Sequence, residues 1–157
     1  SQTYLEVKML ETAMAIENGA DEIDIVISIG EMLDGEYDLA GNEIETLRAE
    51  IGDDAILKVI LESGTLSDPE LIHKAATIAM EAGADFIKTS TGFSKAGATA
   101  EDVRLMREQS APEVRVKAAG GISSLADAEL FLSLGADRLG TSRLIRLVRE
   151  EKENKTC

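Results

Sequence analysis

The sequence predicts an α/β fold, namely a TIM (β/α)8 barrel of which this chain supplies about five βα units. Short apolar runs rich in β-branched residues alternate with segments of helical pattern along the chain. The runs are mostly continuous, which is typical of strands buried on both faces of a parallel sheet. The tripeptide Gly-Ala-Asp recurs before three of the runs, at residues 19–21, 83–85 and 135–137. A strand-plus-helix unit of about 30 residues therefore repeats along the sequence.

The expected elements follow one another in a regular order. Strands are expected at residues 22–27, 55–61, 85–90, 114–118 and 138–141. Four segments between or before them have the form of a helix N-cap, and they begin at Thr3, Ser67, Thr99 and Ser124. Three glycines are expected to end helices in the left-handed conformation, and they are Gly19, Gly83 and Gly135. No linker rich in proline or serine interrupts the series, so residues 1–157 are expected to form a single domain.

Alternating βα units form either an open doubly wound sheet or a closed barrel. The barrel is favoured because no Gly-x-Gly-x-x-Gly dinucleotide motif follows any expected strand. Polar residues inside the strands and glycines after the last strands, where barrels commonly bind phosphate, favour it as well. Five strands are three fewer than a barrel needs, so we expect the chain to be the C-terminal part of one. Open strand edges would then favour self-association as a homo-oligomer.

Composition argues against several classes of partner. The chain has 30 acidic and 16 basic residues and a net charge of −14, which argues against nucleic acid or an anionic membrane. No apolar run approaches the roughly 18 residues that a membrane helix needs. The sequence has one histidine, His73, and one cysteine, Cys157. These are too few for a metal site or a disulfide framework, so we expect no metal and a cytoplasmic location.

Three of the expected strands each contain a lysine within an otherwise apolar run: Lys58, Lys88 and Lys117. Burial of an ammonium group is costly unless the group is paired or loses its proton. If the fold brings these lysines together, each disfavours protonation of the others, and a neutral amine forms a Schiff base with a carbonyl substrate. Asp24, in the first strand, would neutralise the lysines or move protons. The alternative is that the lysines point outward or pair with Asp24 or Glu62.

Loops after the later strands have the composition of a phosphate site. Gly120 and Gly121 follow the fourth strand, and Ser142 follows the last one within Gly-Thr-Ser. Glycines let backbone N–H groups approach an anion, and a serine at a helix N-terminus can donate as well. Thr91 and Gly92 form a further polar loop at the same rim. A plain tight turn remains the alternative at each of these loops.

Several of these segments together resemble one known enzyme family. The segment IKTSTGF at residues 87–93 resembles the active-lysine motif of the deoxyribose-phosphate aldolases. Four more segments resemble its neighbouring motifs in the same order: GADEID at 19–24, LKVILE at 57–62, VKAAGGI at 116–122 and GTS at 140–142. The resemblance covers nearly the whole chain, and its motifs are long enough to be specific.

The resemblance implies a class I aldolase that needs no metal or other cofactor. Such an enzyme cleaves 2-deoxy-D-ribose 5-phosphate reversibly to D-glyceraldehyde 3-phosphate and acetaldehyde, so its partner is a small phosphorylated aldehyde. Lys88 would form the Schiff base, Lys117 would lower the pKa of Lys88, and Asp24 would handle protons through an ordered water. Lys58 would belong to the same polar network. The residues that would bind the substrate and its phosphate are Gly120, Gly121, Ser142, Thr91 and Gly92.

Two departures from the family pattern leave alternatives open. The first three strands of the family are not matched by this sequence, so the chain is alternatively a truncated, catalytically inactive half-barrel fragment of such an enzyme. A different Schiff-base barrel, such as a transaldolase or a sugar-acid aldolase, is a further alternative. Arg143 follows Ser142 where some members have a small hydroxyl residue. It would either reinforce the phosphate site or lie on the surface.

Overall fold

The computed structural model describes residues 2–94 and 96–154, with side chains up to Arg149. Its five strands are β1 (Glu22–Val26), β2 (Ile56–Ile60), β3 (Phe86–Lys88), β4 (Arg115–Ala119) and β5 (Arg138–Gly140). Its helices are α1 (Leu5–Glu17), α2 (Ile29–Asp34), α3 (Tyr37–Ile51), α4 (Ser63–Leu66), α5 (Pro69–Glu81), α6 (Ala100–Gln109), α7 (Leu125–Ser133) and α8 (Arg143–Asn154). Cys157, on which the expected location partly rests, lies outside the described residues.

All five expected strands are present, and they form one parallel sheet in chain order, β1-β2-β3-β4-β5. One face of the sheet is covered by helices, and its side chains are apolar and almost fully buried: Ile23, Ile25, Leu57, Val59, Ile87, Val116 and Ala118. Because side chains alternate between faces along a strand, the polar strand residues point to the opposite face. We call this opposite face the concave face.

The concave face is curved enough for its two outer strands to meet through their side chains. The Nη1 atom of Arg138, on β5, lies 2.8 Å from both carboxylate oxygens of Glu22, on β1. In a flat sheet these strands would lie about 19 Å apart, at about 4.8 Å per strand. The five βα units therefore form a trough, as expected for part of a barrel wall.

Helix boundaries confirm part of the expected capping and correct the rest. Thr99 and Ser124 are N-caps that accept hydrogen bonds from backbone N–H groups, and Ser124 forms a full capping box. The expected cap at Thr3 is wrong, because α1 begins at Leu5 without a side-chain cap. The expected cap at Ser67 is also wrong, because this residue ends the preceding short helix with a positive φ of 58°.

Two short helices, α2 and α4, follow directly after β1 and β2 and were not expected from the sequence. Both are at most six residues long, which is too short for a clear apolar periodicity. The three glycines expected to end helices do so, with φ values of 90°, 88° and 99° at Gly19, Gly83 and Gly135. Within the described part of the chain, no helix is both long and apolar enough to cross a membrane.

Candidate active site

The three lysines expected from the sequence lie together on the concave face. The strand register places Asp24 beside Lys58 and places Lys88 beside Lys117. Lys88 is the last residue of β3, so its side chain lies at the carboxyl end of the sheet. This is the end at which barrel enzymes carry their active sites.

Asp24 joins two of the lysines. Its Oδ1 atom accepts a hydrogen bond from Lys58 Nζ at 2.9 Å, and its Oδ2 atom accepts one from Lys88 Nζ at 2.8 Å. Burial raises the pKa of the Asp24 carboxyl, but the hydrogen bonds and charges of the two lysines outweigh it, so the pKa lies below its ordinary value. Asp24 is therefore ionised at neutral pH. The pairing with Asp24 that was considered from the sequence is present for Lys58 and Lys88. Glu62, the other carboxylate considered, instead contacts the loop that follows Lys88.

The ion pairs continue across the floor of the trough. Lys58 is only 2% exposed and also contacts the Glu22 carboxylate at 2.7 Å, while Glu22 accepts hydrogen bonds from Arg138. Hydrogen bonds from Lys58 and Arg138 lower the pKa of Glu22 to about 2. The result is a line of alternating charges, which we call the charged network: Lys88, Asp24, Lys58, Glu22 and Arg138. Sequence reasoning missed Glu22 and Arg138, although Glu22 shares the strand periodicity of Asp24.

Lys117 differs from the other two lysines. It makes no ion pair with any carboxylate among the described residues. Burial lowers the pKa of Lys117, and the nearby charge of Lys88 lowers it further. Lys117 therefore releases its proton at a lower pH than an ordinary lysine does.

A cavity of about 540 Å³ opens beside these amines. It is lined by seven of the residues expected to form the site: Lys88, Lys117, Thr91, Gly92, Gly120, Gly121 and Ser142. Arg143 lines the same cavity and is exposed. The two remaining expected residues, Asp24 and Lys58, lie outside its lining. Asp24 accepts a hydrogen bond from Lys88, and Lys58 is linked to the cavity only through Asp24. A volume of this size is typical of sites for small molecules.

The glycines of the cavity wall allow two loops to pack backbone against backbone. Gly120 and Gly121 have φ values of 82° and 78°, a conformation that favours glycine. A Cβ atom on Gly97 would lie 2.4 Å from the carbonyl carbon of Gly120. The N–H of Gly120 donates to the carbonyl of Gly140 at 3.2 Å, whereas the N–H of Gly121 meets no acceptor within residues 2–94 and 96–154. Gly97 was not identified from the sequence, because its role depends on this close approach.

No group of three or more His, Cys, Asp or Glu side chains that could hold a metal ion occurs among the residues that the structure describes. Among the described residues that line the cavity, the nitrogen-bearing side chains are Lys88, Lys117 and Arg143. Amines and guanidinium groups suit anions and carbonyl groups rather than metal cations.

Comparison with known proteins agrees with this geometry. Residues 1–137 match the family model described as "DeoC/LacD family aldolase". A deoxyribose-phosphate aldolase of Streptococcus pyogenes serotype M12 is 52% identical over 144 residues, and one of Streptococcus agalactiae serotype Ia is 52% identical over 145 residues. Each match covers 92% of this chain and 64% of the relative. The chain therefore spans somewhat less than two thirds of the length of these curated relatives.

Two solved structures extend the comparison to the fold. An aldolase called QR15 superposes with a TM-score of 0.85 at 42% identity, over 90% of this chain and 63% of that one. The deoxyribose-phosphate aldolase of Aeropyrum pernix, described as having a unique tetrameric structure, superposes with a TM-score of 0.83 at 32% identity, over 97% and 64%. The fold prediction is confirmed, since the chain forms about five βα units of a TIM barrel. Because the family model matches residues 1–137 of this chain, the chain belongs to the DeoC/LacD family of aldolases.

Proposed function

We propose that this chain carries the active site of a class I aldolase that cleaves 2-deoxy-D-ribose 5-phosphate reversibly to D-glyceraldehyde 3-phosphate and acetaldehyde. The observation that carries the proposal is the cavity in which Lys88 and Lys117 face a wall of glycine loops. An amine to attack the sugar aldehyde and a glycine-rich pocket for its phosphate are the two parts that this reaction needs.

Lys88 is the proposed nucleophile. Its neutral amine adds to C1 of the open-chain sugar, and loss of water gives a protonated imine. Removal of the proton from the C3 hydroxyl then breaks the C2–C3 bond, and the bonding electrons move towards the imine nitrogen. D-Glyceraldehyde 3-phosphate leaves, and the remaining enamine takes up a proton at C2 and is hydrolysed to acetaldehyde and free Lys88.

Lys117, Asp24 and Lys58 are proposed to support this chemistry. Lys117 shares the cavity with Lys88, whose charge adds to the effect of burial in lowering the pKa of Lys117. With its lowered pKa, Lys117 is suited to exchanging protons beside the imine. Asp24, held by Lys58, lies within hydrogen-bonding distance of Lys88 Nζ and is placed to pass protons through a water molecule.

The phosphate is proposed to bind at the glycine loops. The N–H of Gly121 points to no described acceptor, and Ser142 lies at the N-terminus of α8, where a helix favours an anion. Gly120 lines the cavity, but its own N–H donates to Gly140, so we assign it the role of providing space. Arg143 lines the same cavity, which favours a phosphate contact over a purely surface role.

Reductive trapping tests the nucleophile. The chain is incubated with acetaldehyde or 2-deoxy-D-ribose 5-phosphate and sodium borohydride, and its peptides are analysed by mass spectrometry. The proposal expects an added mass on the peptide that contains Lys88, and none in the Lys88→Met variant. A label on the Lys117 peptide would contradict the assignment of the nucleophile. A folded chain that takes up no label would instead support the inactive half-barrel.

We also propose that residues 1–157 act as a single domain in the cytoplasm and associate with copies of the same chain. Five strands leave both sheet edges without a neighbouring strand in the described sheet, and the relative from Aeropyrum pernix is described as tetrameric. Sedimentation equilibrium measures the mass in solution. A mass equal to that of one chain at micromolar concentration would contradict the self-association.

A further inference from the structure

Glu62 follows β2 and is a buried carboxylate, 5% exposed, that the chemistry above does not use. Its backbone is left-handed, with φ 54° and ψ 52°. A residue with a Cβ atom adopts this conformation at a cost, and such strain persists where the surrounding structure requires it. Besides Glu62, Ser67 is the only non-glycine residue with positive φ in the described chain. The backbone strain at Glu62 indicates that its side chain holds other groups in place.

Among the described residues, the side chain of Glu62 hydrogen-bonds only to the loop that follows the proposed nucleophile. Both carboxylate oxygens accept from the N–H of Thr91, at 3.2 and 3.3 Å, and Oε2 also accepts from the Thr91 hydroxyl. Oε1 accepts from the hydroxyl of Ser94 at 2.8 Å. Hydrogen bonds to a carboxylate are stronger than those between neutral groups. Three donors of one short loop are thus anchored to one side chain.

This loop forms part of the cavity wall. Thr91 and Gly92 line the cavity, three and four residues after Lys88. The Thr91 hydroxyl donates its proton to Glu62 and accepts from the N–H of Phe93, so that proton is not directed at a ligand. The N–H of Gly92 makes no hydrogen bond with the described residues. Anchoring Thr91 therefore fixes the position of this N–H at the cavity.

The other side of the same loop is held by the backbone. The N–H of Ala98 donates to the carbonyls of Ala119 and Gly120, both at 3.1 Å, and Gly97 packs against Gly120. Residues 91–94 are thus held by Glu62, and residues 97–98 are held by the glycine loop after β4. Loss of the Glu62 contacts would free the end nearer to Lys88.

We propose that Glu62 is a positioning residue that holds residues 91–94 against the cavity and thereby sets the affinity for the substrate phosphate. It touches neither the sugar nor the reacting atoms. The proposal rests on the proposed aldolase function for its kinetic arm, whereas its binding and exchange arms do not depend on turnover.

The kinetic test compares Glu62→Gln with Glu50→Gln, an exposed glutamate at the end of α3. The glutamine keeps the size of the side chain, removes its charge and turns an NH2 group towards the Thr91 N–H. We expect KM for 2-deoxy-D-ribose 5-phosphate to rise about 10- to 100-fold, because charge-assisted hydrogen bonds are lost, with kcat changed less than about threefold. For 2-deoxy-D-ribose, which lacks the phosphate, kcat/KM is expected to change little. An equal loss for both sugars, with a lower Tm, would reduce Glu62 to a structural role and overturn the proposal.

Two further measurements keep the proposal testable without turnover. Inorganic phosphate, titrated by calorimetry, is expected to bind about tenfold more weakly to Glu62→Gln than to the unchanged chain. Hydrogen exchange is expected to speed up at residues 91–94 and to stay unchanged in β2 and β3. Ser94→Ala, which removes one of the three donors, is expected to give the same changes at smaller size. Unchanged phosphate binding or unchanged exchange would overturn the proposal, whereas failure of borohydride trapping in the unchanged chain would overturn the aldolase function alone.

Discussion

The β1–β2 side of the concave face and its β4–β5 side are built from different groups. On the first side, Asp24, Lys58 and Glu22 each contact a group of opposite charge. On the second side Arg138 ends the charged network, and the cavity wall consists mainly of glycines, hydroxyls, Arg143 and Lys117. Lys117 has no carboxylate partner within the described residues. Lys88 lies at the boundary, since it is paired with Asp24 and also lines the cavity.

Substitutions on the two sides are expected to act on different properties of the protein. In the charged network each side chain is fixed by its neighbours, so a substitution alters protonation and the pH dependence of stability. The glycine wall is the part of the cavity lining that contains Gly92, Gly120, Gly121 and Gly140. There the backbone itself forms the surface, so a substitution alters the shape of the cavity and the binding of a ligand.

The largest effect on activity is expected for Lys88, which lies at the boundary between the two sides. Lys88→Met should lower kcat/KM for 2-deoxy-D-ribose 5-phosphate by about 10³-fold or more, because no covalent intermediate forms. Lys117→Met should lower it less and should still give a borohydride adduct on Lys88. Steady-state rates together with peptide mass spectrometry measure both. If Lys117→Met lost the adduct while Lys88→Met kept it, the two lysines would have to exchange roles.

The next largest effect on activity is expected for Asp24, which joins Lys58 and Lys88 in the charged network. Asp24→Asn should lower kcat by about 10²-fold or more, because the residue proposed to move protons next to Lys88 is lost. Its matched control is Asp21→Asn, an exposed residue that precedes β1. The control is expected to keep its activity within a factor of two. Equal rates in the two variants would show that Asp24 serves only to balance charge.

A smaller effect is expected where the two loops touch. Gly97→Ala places a Cβ atom 2.4 Å from the backbone of Gly120, so the loops must separate. We expect a loss of about 1–3 kcal/mol of stability and a higher KM, with kcat less affected. Gly30→Ala is the control, since a Cβ atom there meets nothing within 4 Å. Urea unfolding and steady-state kinetics measure the two effects, and equal stability of both variants would refute the close contact.

The charged network gives a prediction on pH. The pKa of Glu22 is lowered to about 2 by Lys58 and Arg138, whereas in the unfolded chain it lies near 4.5. The unfolded state therefore binds the proton first, so the contribution of Glu22 is complete above pH 4.5 and is lost as the pH falls towards 2. Since the carboxylate is 32% exposed, this contribution is about 1 kcal/mol or less. Urea unfolding of the unchanged chain and of Glu22→Gln should differ at pH 7 and converge at low pH, and a constant difference would contradict this account.

Much of the architecture follows from local sequence, because the patterns involved are short and periodic. Continuous apolar runs located all five strands, and the lysines within three of those runs marked the candidate site. The Gly-Ala-Asp repeat located three helix ends. The cap expected at Ser67 failed because its backbone turns left-handed to end α4, which the local pattern S-x-x-E does not reveal.

The rest of the site depends on distances that the sequence does not contain. The Glu22–Arg138 pair joins residues 116 positions apart and exists because the sheet curves. The contact of Gly97 with Gly120 requires the backbones of two loops to approach each other closely. The role proposed for Glu62 depends on its left-handed backbone. Each of these residues looks ordinary in its own segment. The sequence therefore predicted the lysines and the loops that line the cavity better than the residues that support them, which are Gly97, Glu62, Glu22 and Arg138.

The smallest effect is expected for Ser142, which lies next to the glycine wall, and it is an effect on KM. Ser142 precedes α8 and lines the cavity, so its hydroxyl is placed to donate to a phosphate at the helix N-terminus. Ser142→Ala should raise KM for the phosphorylated sugar about 2- to 10-fold, the loss expected for one hydrogen bond, and leave kcat unchanged. Ser133→Ala, at the end of α7, removes a hydroxyl that contacts only its own helix and serves as the control. If Ser142→Ala changed kcat rather than KM, the hydroxyl would act on the reacting atoms. The glycine wall would then not be limited to binding the ligand, and its distinction from the charged network would fail.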